Sequence, residues 1–269
     1  MAEIRAVITD LDDTLLNERH QMTGRTVATL KRLTAQGIKV ILASGRSAAS
    51  IRPQMAKAGT PWPYIAFNGA QILDAGTHLI LSASQVPMEL ARQVLLWFEA
   101  RQVYAQYYDG DDWYYETPSQ ITEDYAKSSG IAGTRTAGRL SESIVRPTPK
   151  VLAVAAPDRV PGLMAEAAKA FGNSVAVTTS KPCFVEITMP DATKGHAVRK
   201  LAAMLNLSPE TTLCAGDSLN DLSMLAWSKL PVSVANAREE VKAVAWRVAG
   251  HGHKDGLAEL LDELIPSKA

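Results

Sequence analysis

Asp10 and Asp12 stand one residue apart where a short apolar run, Ile4-Arg5-Ala6-Val7-Ile8-Thr9, comes to an end. The run is rich in aliphatic and β-branched residues and predicts a buried parallel strand. On an extended backbone this spacing puts both carboxylates on one side. Two such charges repel unless a cation or a shared proton relieves them, and a hard divalent ion such as Mg²⁺ takes oxygen ligands of this kind. Taken alone, the cluster is better explained as turn chemistry, in which aspartates bond nearby backbone amides.

Further polar groups end other apolar runs: Ser44, Asn68, and Asp217 with Asp221, while Lys194 opens a helix. Each has an ordinary explanation. Ser44-Gly45 can cap a helix, Asn68-Gly69 is a normal turn pair, and Asp217 and Asp221 can cap and solvate a helix. Lys194 can be a solvated first-turn residue, although a cation sits poorly at a positive helix N-terminus. Jointly they place carboxylates, a hydroxyl, an amide and an ammonium at one edge of one sheet. In open α/β sheets ligands bind at that edge, beyond the carboxyl ends of the strands.

The elements that position these groups follow from periodicity. Thr23 predicts the cap of a helix to about residue 36, closed by Gly37, and a strand over 38–43 follows. A helix over 48–58, a third strand over 64–67 and a small hairpin, 71–73 with 78–81, complete the first stretch. The rhythm is that of a parallel sheet with right-handed crossovers. It then changes. A helix over 88–101 leads to a hairpin, 103–108 with 113–116, and 121–139 is poorly patterned. Strands are expected at 144–145, 150–155, 174–178 and 184–187, with a helix over 160–170. After Pro190 come a helix from Lys194 to about 205, a strand over 211–215, a helix over 220–227 and a strand over 232–234. A helix over 237–243, a short strand over 246–249 and a closing helix over 257–264 end the chain. The expectation is an α/β core with a Rossmann-like parallel sheet, residues 1–82 and 189–269, and an inserted α+β domain, residues 83–188.

At 269 residues, with 46% hydrophobic and 21% charged residues, the chain has the composition of an ordinary globular protein. Lys+Arg and Asp+Glu each number 28, so neither nucleic acid nor an anionic membrane is signalled as a partner. Cys183 and Cys214 fall in expected strands and read as buried free thiols. With no signal-like leader and no apolar run of spanning length, a cytoplasmic protein is expected.

The motifs together resemble those of the haloacid dehalogenase superfamily, in its Cof-type phosphatase branch. Four appear in order: Asp10-Leu11-Asp12-Asp13-Thr14-Leu15, Ala43-Ser44-Gly45-Arg46, Thr193-Lys194-Gly195 and Gly216-Asp217-Ser218-Leu219-Asn220-Asp221. Phe67-Asn68-Gly69-Ala70, Ala235-Asn236-Ala237 and Asp255-Gly256 are similar to branch signatures. The inserted region resembles the branch's cap mainly by position and size. The resemblance implies a Mg²⁺-dependent phosphatase acting on small phosphate esters, sugar phosphates first. It implies Asp10 as the nucleophile that forms an aspartyl-phosphate, and Asp12 as general acid and base. Mg²⁺ would be held by Asp10, the Asp12 carbonyl and Asp217, with Ser44 and Lys194 on the phosphoryl oxygens. Asp221 would orient Lys194 or a metal-bound water, with Asn220 beside it in the second layer of the metal site. Gly45, Arg46, Asn68 and Asn236 are expected to touch substrate or cap. A phosphomutase is the main alternative, and a non-catalytic phosphometabolite sensor a third. One departure is visible: the residue after the second acid is usually Gly in this branch, and here it is Asp13.

Other residues invite less. His251-Gly252-His253 lacks an evident third ligand and reads as an exposed loop, and His196 as helix surface. Tyr104, Tyr107, Tyr108, Trp113, Tyr114 and Tyr115 alternate along the inserted hairpin, so about half should pack under helices.

Overall fold

The computed structural model describes residues 3–267. The chain folds into two compact units, one of Met1–Ser47, Ile51–Ser82 and Thr193–Ala269, the other of Ala83–Ala192 with Ala48–Ser50.

In the first unit five strands form a wholly parallel sheet. Their spatial order is Arg247–Ala249, Leu230–Val234, Thr212–Gly216, Ala6–Thr9 and Lys39–Leu42. Ala6–Thr9 lies inside the sheet and every residue in it is buried, which is why its sequence reads as a continuous apolar run and not an alternating one. Its last residue, Thr9, pairs with Ala215 on one side and Leu42 on the other. The three chains therefore leave the sheet at the same level, and their next residues emerge together. Gly24–Ala35 is a helix whose cap, Thr23, accepts from the Thr26 amide, and it buries Leu30 and Leu33.

The expected third parallel strand belongs elsewhere. Tyr64–Ala66 pairs antiparallel with Gln71–Leu73 in a separate sheet completed by Ile80–Ala83. An isolated parallel bridge, Ala43 to Ile65, and backbone bonds such as that from the Asn68 amide to the Ser44 carbonyl link it to the chain leaving Lys39–Leu42. The helix expected over 220–227 is a 3₁₀ turn, Leu219–Asp221, followed by a short helix, Leu222–Leu225.

The second unit is a six-stranded sheet ordered Ala176–Thr178, Phe184–Thr188, Val151–Val154, Tyr104–Asp109, Asp112–Tyr115 and Thr134–Arg135. All neighbours are antiparallel except the last pair. Helices Met88–Glu99 and Val160–Phe171 supply Val94, Leu95, Phe98 and Leu163 to a core shared with Tyr107, Val151, Val185 and Ile187. Of the six hairpin aromatics, Tyr107, Tyr108 and Trp113 are buried and the other three half-buried.

Two expectations fail in this unit. Residues 144–145 form no strand, because helix Leu140–Ser143 runs up to Ile144. The stretch read as poorly patterned contains helix Gln120–Ser129, started by a Ser119–Thr122 capping box and closed by Gly130 at φ 73°. Cys183 is half-exposed ahead of Phe184–Thr188, whereas Cys214 is buried in Thr212–Gly216; both are free thiols. No helix among the described residues is long and apolar enough to cross a membrane.

Candidate active site

Asp10 follows strand Ala6–Thr9 and still donates its amide to the Ala215 carbonyl, at 2.9 Å. Its carboxylate meets Lys194, the first residue of helix Lys194–Leu205, whose N-cap Thr193 accepts from the His196 amide. The Lys194 ammonium is fully buried and also donates to Asp221 Oδ1, at 2.6 Å. Here a cation sits at a helix N-terminus because two carboxylates, not solvent, compensate it.

Asp221 is held from its other oxygen. Oδ2 accepts from the amides of Asp217, at 2.9 Å, and Ser218, at 3.0 Å. Such a turn requires Gly216, since a Cβ there would lie 2.5 Å from the Asp221 side chain. Asp217 projects from the same turn and accepts from Thr14 Oγ1, at 2.8 Å. Oxygens of Asp10, Asp217 and Asp221 all fall within 4.8 Å of one another.

One ammonium thus serves three carboxylates, and the remaining negative charge has consequences. Burial, with the neighbouring aspartates, pushes Asp10 well above the ordinary carboxyl range despite Lys194. Burial and Asp221 raise Asp217 to about 7. Burial also opposes the charge of Lys194, but Asp10 and Asp221 outweigh it and keep the ammonium protonated.

Asp12 has separate partners. Arg46 grips it with two bonds, Nε to Oδ2 at 2.7 Å and Nη2 to Oδ1 at 2.5 Å, and His20 Nδ1 lies 3.2 Å from Oδ1. Burial works to raise its pKa, yet the Arg46 bonds and charge, with His20, hold it below the ordinary value.

Ser44 is buried, and its hydroxyl accepts from the Arg46 amide, at 3.2 Å. Gly45 runs beside the side chain of Asn68, a residue at φ 56° whose Oδ1 accepts from Asn220 Nδ2 at 2.8 Å. Asn236 is committed to backbone: it donates to the Asp13 carbonyl and accepts from the Gly252 amide, both at 2.7 Å.

The sequence pattern shared by haloacid dehalogenase-like hydrolases matches residues 7–261. The chain belongs to that family. This hydrolase is 26% identical over 270 residues to the pyridoxal phosphate phosphatase YbhA of Escherichia coli, covering 96% of this chain and 97% of the relative. It is 25% identical over 288 residues to the phosphatase YwpJ of Bacillus subtilis, at 97% and 100% coverage. Among solved structures, a haloacid dehalogenase-like hydrolase from Bacteroides thetaiotaomicron superposes with a TM-score of 0.92. At 24% identity, covering 98% and 100% of the two chains, that likeness is one of fold.

Sequence reasoning missed two partners in the hydrolase, Thr14 of Asp217 and His20 of Asp12, and it misread His253. His253 is not in an exposed loop. Its side chain is 19% accessible, and Nε2 lies 2.6 Å from Asp13 Oδ1. The left-handed φ of Asp13, 57°, is what a branch-typical glycine accommodates, and an aspartate in its place was the available signal that this side chain needs a partner.

Proposed function

We propose that this hydrolase is a Mg²⁺-dependent phosphomonoesterase for small phosphorylated metabolites, sugar phosphates first. The reading assigns the substrate-choosing role to the inserted unit and places the enzyme in the cytoplasm. The single observation that supports it most is the Lys194 ammonium bound between Asp10 and Asp221 beside Asp217.

The donor set fits a hard divalent ion. It is all oxygen and short of positive charge, and Asp10 and Asp217 each keep an oxygen with no protein cation on it. Asp221 fits less well as a ligand, since Lys194 bonds one of its oxygens and two amides the other. Asp10, Asp217 and the Asp12 carbonyl would hold Mg²⁺, which when bound neutralises phosphoryl charge and the repulsion between anions.

The chain's own groups then divide the work. An Asp10 oxygen attacks phosphorus, and the bond to the leaving oxygen breaks to give an aspartyl-phosphate. Asp12 gives its proton to the leaving oxygen, takes one from water, and the water attacks phosphorus to release phosphate and restore Asp10. Lys194 and Ser44 hold phosphoryl oxygens, Asp221 keeps Lys194 aimed, and Asn220 is placed with it. Gripped by Arg46, Asp12 is a carboxylate, the form that receives a proton. Its acid role requires Arg46 to loosen that grip as it turns to substrate, with Gly45 and Asn68 beside it.

Phosphate release from p-nitrophenyl phosphate and a panel of hexose and pentose phosphates, pyridoxal phosphate, flavin mononucleotide and nucleotides tests the reading. Turnover should vanish with EDTA and return with Mg²⁺. Turnover that survives chelation would remove the metal's role, and an isomeric sugar phosphate without free phosphate would make the enzyme a mutase.

A further inference from the structure

Asp13 is the point at which two separate segments, at Asn236 and at Gly252–His253, converge on the acidic loop. Its carboxylate faces His253 Nε2 at 2.6 Å, and Glu18 Oε1 lies 3.6 Å from Nδ1 of the same ring. Its carbonyl accepts from Asn236 Nδ2 at 2.7 Å, and Asn236 in turn accepts from the Gly252 amide at 2.7 Å. Gly252 lies so close that a Cβ would stand 2.2 Å from the Asp13 oxygen. The loop carrying His253 is anchored as well: His251 Nδ1 accepts from the His253 amide at 3.3 Å, and Asp255 Oδ1 accepts from Thr26 Oγ1 at 2.7 Å. A side chain, a carbonyl and a packing contact therefore fix Asp13 from one direction.

What they fix is its left-handed backbone, φ 57°. Rotation about that N–Cα bond swings the peptide joining residues 12 and 13, and with it the Asp12 carbonyl. On the far side Thr14 is bonded to Asp217, at 2.8 Å. Asp13 thus sits between two groups that the proposed mechanism turns toward Mg²⁺, although its own side chain points to His253. Most L-residues avoid φ near +57° and would relax to negative values if released. Asp tolerates that region better than most, but tolerance does not select it.

We propose that His253 is a positioning residue for the metal site: through Asp13 it holds the Asp12 carbonyl in its ligand orientation. Gly at this position leaves the turn open to many conformations, whereas here an Asp–His contact closes it. The inference rests on the metal reading above, and its test separates the two.

Calorimetric titration of the full-length protein with Mg²⁺ alone, without substrate, reads the site directly. His253→Ala should weaken Mg²⁺ binding about tenfold while leaving the melting temperature of the metal-free protein nearly unchanged. His253→Gln, whose amide nitrogen can stand where Nε2 does, should recover most of the affinity. Asp13→Gly can adopt the same φ but offers nothing to His253, so it should weaken binding like His253→Ala. The double variant should be no worse than either single one. Wild-type affinity in His253→Ala, failure of His253→Gln to recover it, or additive losses in the double variant would overturn the proposal while leaving the metal reading intact. A wild-type protein that binds no Mg²⁺ would overturn both. Should His253→Ala fail to fold, Asp13→Gly alone decides, because no buried ring is lost.

Discussion

Lys194 and Arg46 divide the four aspartates of the site between them. Lys194 serves the cluster of Asp10, Asp217 and Asp221, and Arg46 grips Asp12. The two acids nearest in sequence therefore sit in different electrostatic surroundings, one pushed up by burial and the other held down by a guanidinium. A nucleophile must be ionised and a general acid protonated, so the proposed reaction needs both shifts reversed, Asp10 by Mg²⁺ that would sit beside it and Asp12 by release from Arg46. Asp10→Asn removes the proposed nucleophile, and turnover should vanish. Asp12→Asn keeps the backbone carbonyl and should lose general acid and base help, about 10²–10⁴-fold, or roughly 3–5 kcal/mol. Its phosphorylation step, isolated by transient kinetics, should slow much less with p-nitrophenyl phosphate than with an alkyl phosphate, because p-nitrophenolate leaves without a proton. Equal slowing with both substrates would show that Asp12 is not the general acid.

At the scale of elements, pairing and capping decide what periodicity leaves open. Glu99 ends helix Met88–Glu99 and holds the start of helix Leu140–Ser143. Its Oε1 accepts from the Ser141 amide at 2.8 Å, and its Oε2 accepts from Arg139 Nη2 at 2.6 Å. Burial raises the Glu99 pKa, but Ser141 and Arg139 prevail and lower it overall. A depressed folded pKa adds stability that is present above the unfolded value, about 4.3, and lost as pH falls through the folded one. Glu99→Gln should therefore cost on the order of 1 kcal/mol at pH 7 and little near pH 2, measured by denaturant unfolding at both. A cost independent of pH would mean that the charge is not what holds the second helix. Helix Leu140–Ser143 was illegible in the sequence for this reason: it is four residues long and starts on a carboxylate some 40 residues away. Gln120–Ser129 escaped because it offers few apolar positions, although Ser119 and Gly130 marked its ends. Tyr64–Ala66 was legible as a strand but not as a member of a second sheet, since its partner is set by a turn at Phe67–Gly69 with two left-handed non-glycine residues.

For the molecule as a whole, the alternation of strands and helices carried most of the fold, because every strand of the five-stranded sheet is joined by crossovers that periodicity can see. The site was legible to the extent that its groups end those strands. Asp10, Lys194, Asp217 and Asp221 come together from residues as much as 211 positions apart because Ala6–Thr9 and Thr212–Gly216 pair in register. The His253–Asp13 contact was not legible. It joins two loops 240 residues apart, and no period relates them.

Trapping the covalent intermediate tests the central claim most directly. Asp12→Asn should hydrolyse the aspartyl-phosphate slowly, so rapid mixing with p-nitrophenyl phosphate and Mg²⁺ should give a burst of p-nitrophenolate near one equivalent. The acid-quenched protein should carry phosphate on Asp10, labile to hydroxylamine and found by mass spectrometry in the tryptic peptide spanning residues 6–19. The same label should be absent when Asp10→Asn is added to Asp12→Asn. Turnover without a phosphorylated enzyme, or phosphate on any residue other than Asp10, would contradict the account.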